Sequence, residues 1–232
     1  MLDATPIVFV VDDDASIRES VAGLIQSAGL RSEVFGSALE FLGRPRAAAP
    51  CCLVLDVRLP DLSGLDLQAR VAVERNELPV IFMASCRDVP TVVRAMKAGA
   101  LEFLTKPFDA TELLSAVGNA IEHSRTTLVR EAGLQALRDR HGSLTPRERE
   151  VMRLVVRGHL NKQAGGVLGI SEITVKAHRG KAMRKMQAGS LTELIDMARA
   201  LGLTLVPKVE PAPDGRRAHV GRLSEGQFAS AG

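Results

Sequence analysis

Over the first 120 residues the apolar positions follow two alternating periods. Ile7-Val-Phe-Val-Val11 is a continuous apolar run and reads as a buried strand. Ser16 and Glu19 then stand at capping-box spacing, ahead of Ile17, Val21, Leu24, Ile25 and Ala28 at helical spacing, with Gly29 as a stop. The pattern recurs. Apolar runs at 51–55 and 80–84, and shorter ones near 33–35 and 101–104, are each followed by a helical stretch. Five strands alternating with helices predict an α/β doubly wound five-stranded parallel sheet covered on both faces. Ligands of such sheets bind beyond the carboxyl ends of the strands. A last helix is predicted at 109–122, and Leu128, Leu134 and Leu137 continue its spacing into a partly helical linker over 123–142.

A second, all-α unit begins at Thr145-Pro-Arg-Glu148, where a Thr cap, Pro at the first helical position and Glu at the third coincide. Four helices are predicted at 146–157, 161–168, 172–186 and 191–201, with Gly158 and Gly169 as stops and Ser171 and Ser190 as caps. Helix, short turn and helix over 161–186 form a helix-turn-helix. The expected organisation is therefore 1–122, linker 123–142, 143–204, and a disordered tail over 205–232 rich in Pro, Gly and Ala.

Charge divides along the same boundary. Residues 1–120 hold 11 basic and 16 acidic side chains, a net of −5, whereas residues 144–203 hold 11 and 5, a net of +6. The second unit is thus the candidate for nucleic acid. The longest apolar runs are five residues, far below the ~20 that span a bilayer. With no charged segment leading into an apolar one at the start, a cytoplasmic protein without a membrane partner is expected. The three cysteines make neither a disulfide framework nor a metal motif and read as core thiols.

Asp12, Asp13 and Asp14 end the first predicted strand, Asp56 ends the third, and Lys106 follows the fifth. A doubly wound sheet brings these ends together. Carboxylates so gathered repel unless a cation joins them, and Mg2+ favours a few carboxylates plus waters and phosphoryl oxygens. A carboxylate beside Mg2+ is a nucleophile suited to forming an aspartyl-phosphate, with Lys106 stabilising charge on the transferred group. For Asp14 alone, a helix cap is the preferred reading.

On the second helix of the helix-turn-helix, Val175, Ala182 and Met186 share one packed stripe, with His178 and Met183 at its edges. Ile173, Ala177, Gly180, Lys181 and Arg184 face the other way, with Lys176 beside them. Lys176 and Lys181 are base-edge candidates, and Ala177 and Gly180 allow close approach. Thr174, Arg184 and Lys185 are expected at phosphates. For Arg179, a salt bridge to the first helix competes with a DNA contact.

These residues carry a resemblance. Val10-Val-Asp-Asp13, Leu55-Asp56-Val-Arg-Leu-Pro60 with Gly64, and Lys106-Pro107-Phe108 resemble the receiver domain of two-component response regulators over residues 5–122. Leu144-Thr-Pro-Arg-Glu-Arg-Glu-Val151, Leu168-Gly-Ile-Ser-Glu-Ile-Thr-Val-Lys176-Ala-His178 and Met183-Arg-Lys-Met186 resemble the LuxR-type DNA-binding domain over 143–203. Together they look like a NarL/FixJ-type regulator. The resemblance implies Asp56 as phosphoacceptor, and Mg2+ held by Asp12, Asp13, Asp56 and the Arg58 backbone carbonyl. It further implies Lys106 on the phosphoryl group, a cis Lys106–Pro107 bond, and Phe103 as the aromatic switch. The implied partners are a sensor histidine kinase, promoter DNA and a second copy in a phosphorylated homodimer, with RNA polymerase a further candidate. Such a dimer binds half-sites spaced by ~10 bp.

Two positions depart from the pattern. Where receivers place a Thr or Ser after the fourth strand, this chain has Ala84. Ser85 is adjacent, but side chains alternate along a strand, so it is expected to point away. Weakened coupling between phosphorylation and output follows. In the DNA-binding unit, Gly165 and Gly166 lower helix propensity, and Gly165→Ala is expected to raise the unfolding midpoint if residue 165 is helical. Two other functions compete with a phosphorylation-switched transcription factor that is no enzyme. One is a phosphorylation-independent transcription factor whose receiver serves mainly for dimerisation; the other is an aspartyl-phosphate phosphatase.

Overall fold

The apolar runs form five strands: β1 (Ile7–Val11), β2 (Arg31–Phe35), β3 (Cys51–Asp56), β4 (Val80–Ala84) and β5 (Glu102–Thr105). In the computed structural model, which describes residues 4–75, 77–85 and 88–203, all pair in parallel in the order β2-β1-β3-β4-β5. The three inner strands are buried throughout. This is why they read as unbroken apolar runs, while the edge strands β2 and β5 carry Arg31, Glu33 and Glu102.

Alternation splits the interior into two cores. Phe9, Leu53, Leu55, Phe82 and Phe103 meet Phe41 of α2 (Ala38–Leu42), Leu67 of α3 (Gly64–Glu74) and Ala95 of α4 (Val89–Lys97). On the other face Val8, Val10, Val54, Ile81 and Met83 meet Ile25 of α1 (Ala15–Ser27) and Leu113 and Val117 of α5 (Ala110–Gly142). Cys51 and Cys52 are buried free thiols. Burial pushes the Cys51 pKa up to about 11, and the Cys52 pKa is also raised. Cys86 and residues 205–232, expected as core thiol and disordered tail, lie outside the described residues.

Two local expectations change. Helix α1 is capped by Asp14, whose carboxylate accepts from the Ser16 and Ile17 amides, in place of the expected Ser16–Glu19 box. Helix α5 does not pause at 122 but runs unbroken to Gly142. Its extension stays docked, because the buried Ser124 hydroxyl accepts from the Cys51 amide at 3.1 Å and Thr127 is also buried. The described residues accordingly fall into two compact units that divide between Arg140 and His141.

The second unit holds α6 (Pro146–Val156), α7 (Asn161–Leu168), α8 (Glu172–Met186) and α9 (Leu191–Ala200). Thr145 and Glu148 form the expected capping box, and Ser171 and Ser190 cap α8 and α9. Gly169, at φ 67, ends α7. Among the described residues no helix is long and apolar enough to cross a membrane.

Contacts separate the two glycines of α7. Gly166 faces open space, but a Cβ on buried Gly165 would stand 2.7 Å from the Ile170 carbonyl oxygen, whose amide bonds back to Gly165. Propensity alone therefore misjudges residue 165. Gly166→Ala should stabilise the second unit by about 1 kcal/mol, whereas Gly165→Ala should destabilise it by about 1–3 kcal/mol through overpacking against backbone. Chemical denaturation followed by hydrogen exchange across α7 checks the opposite signs; equal gains would show that the turn relaxes freely.

Candidate functional site

The parallel order places the ends of β1 and β3 side by side, with Val11 paired to Leu55. Asp12 follows the first strand and Asp56 ends the second, so both carboxylates emerge at the edge where α/β ligands bind. Asp12 is 1% and Asp56 7% exposed, while Asp13 is exposed. From the end of β5, Lys106 reaches across β4 and donates to Asp12 Oδ2 at 2.5 Å and Asp56 Oδ1 at 2.6 Å. The remaining oxygens accept backbone amides, Asp12 Oδ1 from Asp14 at 2.9 Å and Asp56 Oδ2 from Arg58 at 2.6 Å. Burial alone would lower the Lys106 pKa. The hydrogen bonds and charges of Asp12 and Asp56 outweigh it, and the pKa is raised. The Lys106–Pro107 bond is cis.

Gly64 lets this edge close. Its amide donates to the Val57 carbonyl at 2.9 Å, and a Cβ there would stand 2.3 Å from the Asp56 carbonyl oxygen. Beside Asp56 opens a cleft of about 230 Å³, bordered by Arg58, Ala84, Ser85, Asp88 and Thr91. Ala84 is largely buried with Phe82 and Phe103, whose ring centroids are 6.1 Å apart. Ser85, Asp88 and Thr91 were not anticipated around Asp56. The cue to Ser85 lay in the end of β4 at Ala84, because the alternation rule stops where the strand stops.

In the second unit α8 turns its faces as expected. Val175, Ala182 and Met186 are buried, His178 and Met183 are half-buried, and Ile173, Lys176, Ala177, Lys181 and Arg184 are exposed. Thr174 and Gly180 lie half-buried at the margins. Lys176 pairs with Glu172 at 3.1 Å on the surface, a contact too weak to hold it from a stronger anion. Arg179 takes a hydrogen bond to Asn161 of α7 at 3.4 Å, in place of a salt bridge.

Lys185, expected at a phosphate, has partners within its own unit. Its ammonium donates to Glu148 Oε2 at 2.7 Å and the Ser143 carbonyl at 3.1 Å, tying α8 to the start of α6. Helical spacing sets it with the phosphate contacts; it is exposed and pairs at the same time with the buried Glu148, so it also has a structural role. The Lys185 hydrogen bond, then the Thr145 amide, hold the Glu148 carboxyl below its ordinary range. A depressed acid stabilises the fold above its unfolded pKa, about 4.3, and that contribution is lost as pH falls through the lower folded value. Glu148→Gln should therefore destabilise the second unit near neutrality, and the difference from the parent should shrink below about pH 4. Denaturation of both proteins across that range checks this.

Comparison with known proteins agrees with the arrangement. Residues 8–118 match the response regulator receiver domain, and residues 142–198 match the bacterial regulatory proteins of the luxR family. Nodulation protein W of Bradyrhizobium diazoefficiens is 48% identical over 198 residues, covering 85% of this chain and 87% of the relative. The transcriptional regulatory protein FixJ of the same organism is 38% identical over 196 residues, covering 84% and 96%. The solved structure of the response regulator StyR superposes with a TM-score of 0.73 at 43% identity, covering 84% of this chain and 99% of that one. With a sheet-edge carboxylate site in one unit and a helix-turn-helix in the next, matched in the same order over most of the chain's length, the protein belongs to the NarL/FixJ-type two-component response regulators and is a transcription regulator.

Proposed function

We propose that a sensor histidine kinase phosphorylates Asp56 and that the phosphoryl group switches dimerisation and promoter binding in the cytoplasm. The observation that carries this reading is Lys106 Nζ bridging Asp12 and Asp56 at the carboxyl edge of the sheet, beside the open cleft. As an Asp56 carboxylate oxygen bonds to phosphorus, the phosphorus–nitrogen bond of the kinase's phosphohistidine breaks, and its electron pair returns to the imidazole. Lys106 stabilises the negative charge on the phosphoryl oxygens.

The oxygen donors fit Mg2+. Asp12, Asp13 and Asp56 against one ammonium leave a formal charge of −2. Mg2+ keeps several waters and takes phosphoryl oxygens besides one or two carboxylates, so it does not need an all-protein cage. Asp12, Asp13, Asp56 and the Arg58 carbonyl would hold it, and when bound it supplies neutralising charge to the transferred group.

On DNA, Lys176 and Lys181 read base edges, Ala177 and Gly180 permit close approach, and Thr174, Arg184 and Lys185 meet phosphates. A dimer presents two such helices, and RNA polymerase is a further partner.

The test treats the full chain with an acyl phosphate and Mg2+. One phosphoryl group is expected on the peptide holding Asp56, with a stronger footprint on bound genomic DNA. Uptake at another residue sinks the reading. Ala84, which offers no hydroxyl donor, favours a second reading in which the receiver ignores phosphate and only dimerises. Phosphorylation at Asp56 with an unchanged footprint would select it.

A further inference from the structure

Resting on Asp56 as phosphoacceptor, we infer that the Ser85 hydroxyl replaces the one missing at position 84 and donates to the phosphoryl group. Strand alternation turns a side chain away only while the strand lasts; β4 ends at Ala84, and Ser85 lies in the bend beyond it. There it is exposed and borders the same cleft as Asp56. Ala84 meanwhile packs its methyl into the apolar core with Phe82 and Phe103.

Three hydroxyls lie close to Ala84 in sequence, on the cleft, or across the strand pair. Thr105 pairs with Ala84 across β4 and β5, but its Oγ1 is buried without a partner and it does not border the cleft. Thr91 borders the cleft, yet its Oγ1 donates to Asp88 Oδ2 at 2.7 Å, within the cap of α4. Breaking that bond would leave Asp88 facing a second anion. Ser85 is exposed on the cleft that Asp56 lines, so its hydroxyl can turn to a phosphoryl oxygen there. The step is hydrogen bonding alone. The Ser85 O–H donates to a phosphoryl oxygen, drawing Ser85 toward Asp56. Chain continuity then passes the pull to Ala84, which touches the Phe103 cluster. Ser85 is thus a positioning residue whose contact forms only after transfer.

Beryllofluoride with Mg2+, a phosphoryl mimic, provides the test on the full chain. A hydrogen bond to a charged group accounts for roughly a tenfold or greater change in affinity. Ser85→Ala should weaken beryllofluoride binding by about tenfold or more and reduce the DNA-affinity gain with it. Adding Ala84→Thr to that variant should restore both, which a merely structural role for Ser85 would not allow. Thr91→Val should bind beryllofluoride as the parent does. Parent-like binding by Ser85→Ala, or the loss appearing in Thr91→Val instead, overturns the inference while leaving Asp56 in its role. Failure of the parent itself to bind beryllofluoride overturns the phosphoacceptor reading and this inference together.

Discussion

Asp56→Asn should remain folded, take up no phosphoryl group from an acyl phosphate, and lose the phosphate-dependent gain in DNA affinity altogether. The carboxamide keeps the shape of the side chain, and its oxygen can still accept the Arg58 amide. Lys106 retains Asp12 as a partner at 2.5 Å, so no cation is left buried and unpaired. Removing one of two neighbouring carboxylates also relieves repulsion. The stability change should therefore stay within about 1 kcal/mol. Chemistry is another matter, because the neutral amide oxygen is too weak a nucleophile to attack phosphorus. Allosteric coupling is typically 5–150-fold in affinity, and the parent's gain should fall in that range while the variant's should vanish. Footprinting of both proteins with and without acyl phosphate measures it. An Asn variant that binds DNA like the phosphorylated parent would show that loss of charge, and not the phosphoryl group, drives the switch.

A second large effect is expected from a single methyl group. In Gly64→Ala the new Cβ would stand 2.3 Å from the Asp56 carbonyl oxygen, 3.1 Å from Val57 Cα and 3.2 Å from the Asp56 carbonyl carbon. All three are backbone atoms, so no side chain can rotate away. Either β3 or the first turn of α3 must move. Overpacking should cost about 1–3 kcal/mol. The functional loss should be larger, because displacing a reacting group by about 1 Å can cost 100-fold in rate. The control is Gly118→Ala on α5, where a Cβ meets nothing within 4 Å and the position is exposed. There the same chemical change should stabilise by about 1 kcal/mol. Acyl-phosphate uptake and urea unfolding of the two variants separate a local clash from a general effect of added alanine. Normal uptake by Gly64→Ala would mean that Asp56 does not depend on this close approach.

The pattern of residues was sufficient for much of this molecule. Continuous apolar runs identified the buried strands because both faces of a parallel sheet are covered, and the edge strands were clipped where polar residues meet solvent. Caps at Thr145, Ser171 and Ser190 were readable because a helix end needs a local acceptor within three residues. The carboxylates and Lys106 were readable as a set, since parallel topology sends every strand end to one edge. The packed and exposed faces of α8 followed from helical periodicity alone.

What sequence could not decide were relations between residues that no period connects. Lys185 sits where DNA contacts are expected, and its pairing with Glu148, 37 positions earlier, appears only in the packed unit. Gly165 reads as a weak helix former until the Ile170 carbonyl is placed against it. Ser124 keeps α5 on the first unit through an amide 73 positions away. Ser85 is found on the Asp56 cleft only once β3, β4 and α4 are packed together. Periodicity is a property of one element and survives in sequence. Long-range pairing, close backbone approach and the lining of a cleft are settled only when elements pack, and they decide which of the chemically suitable groups can act.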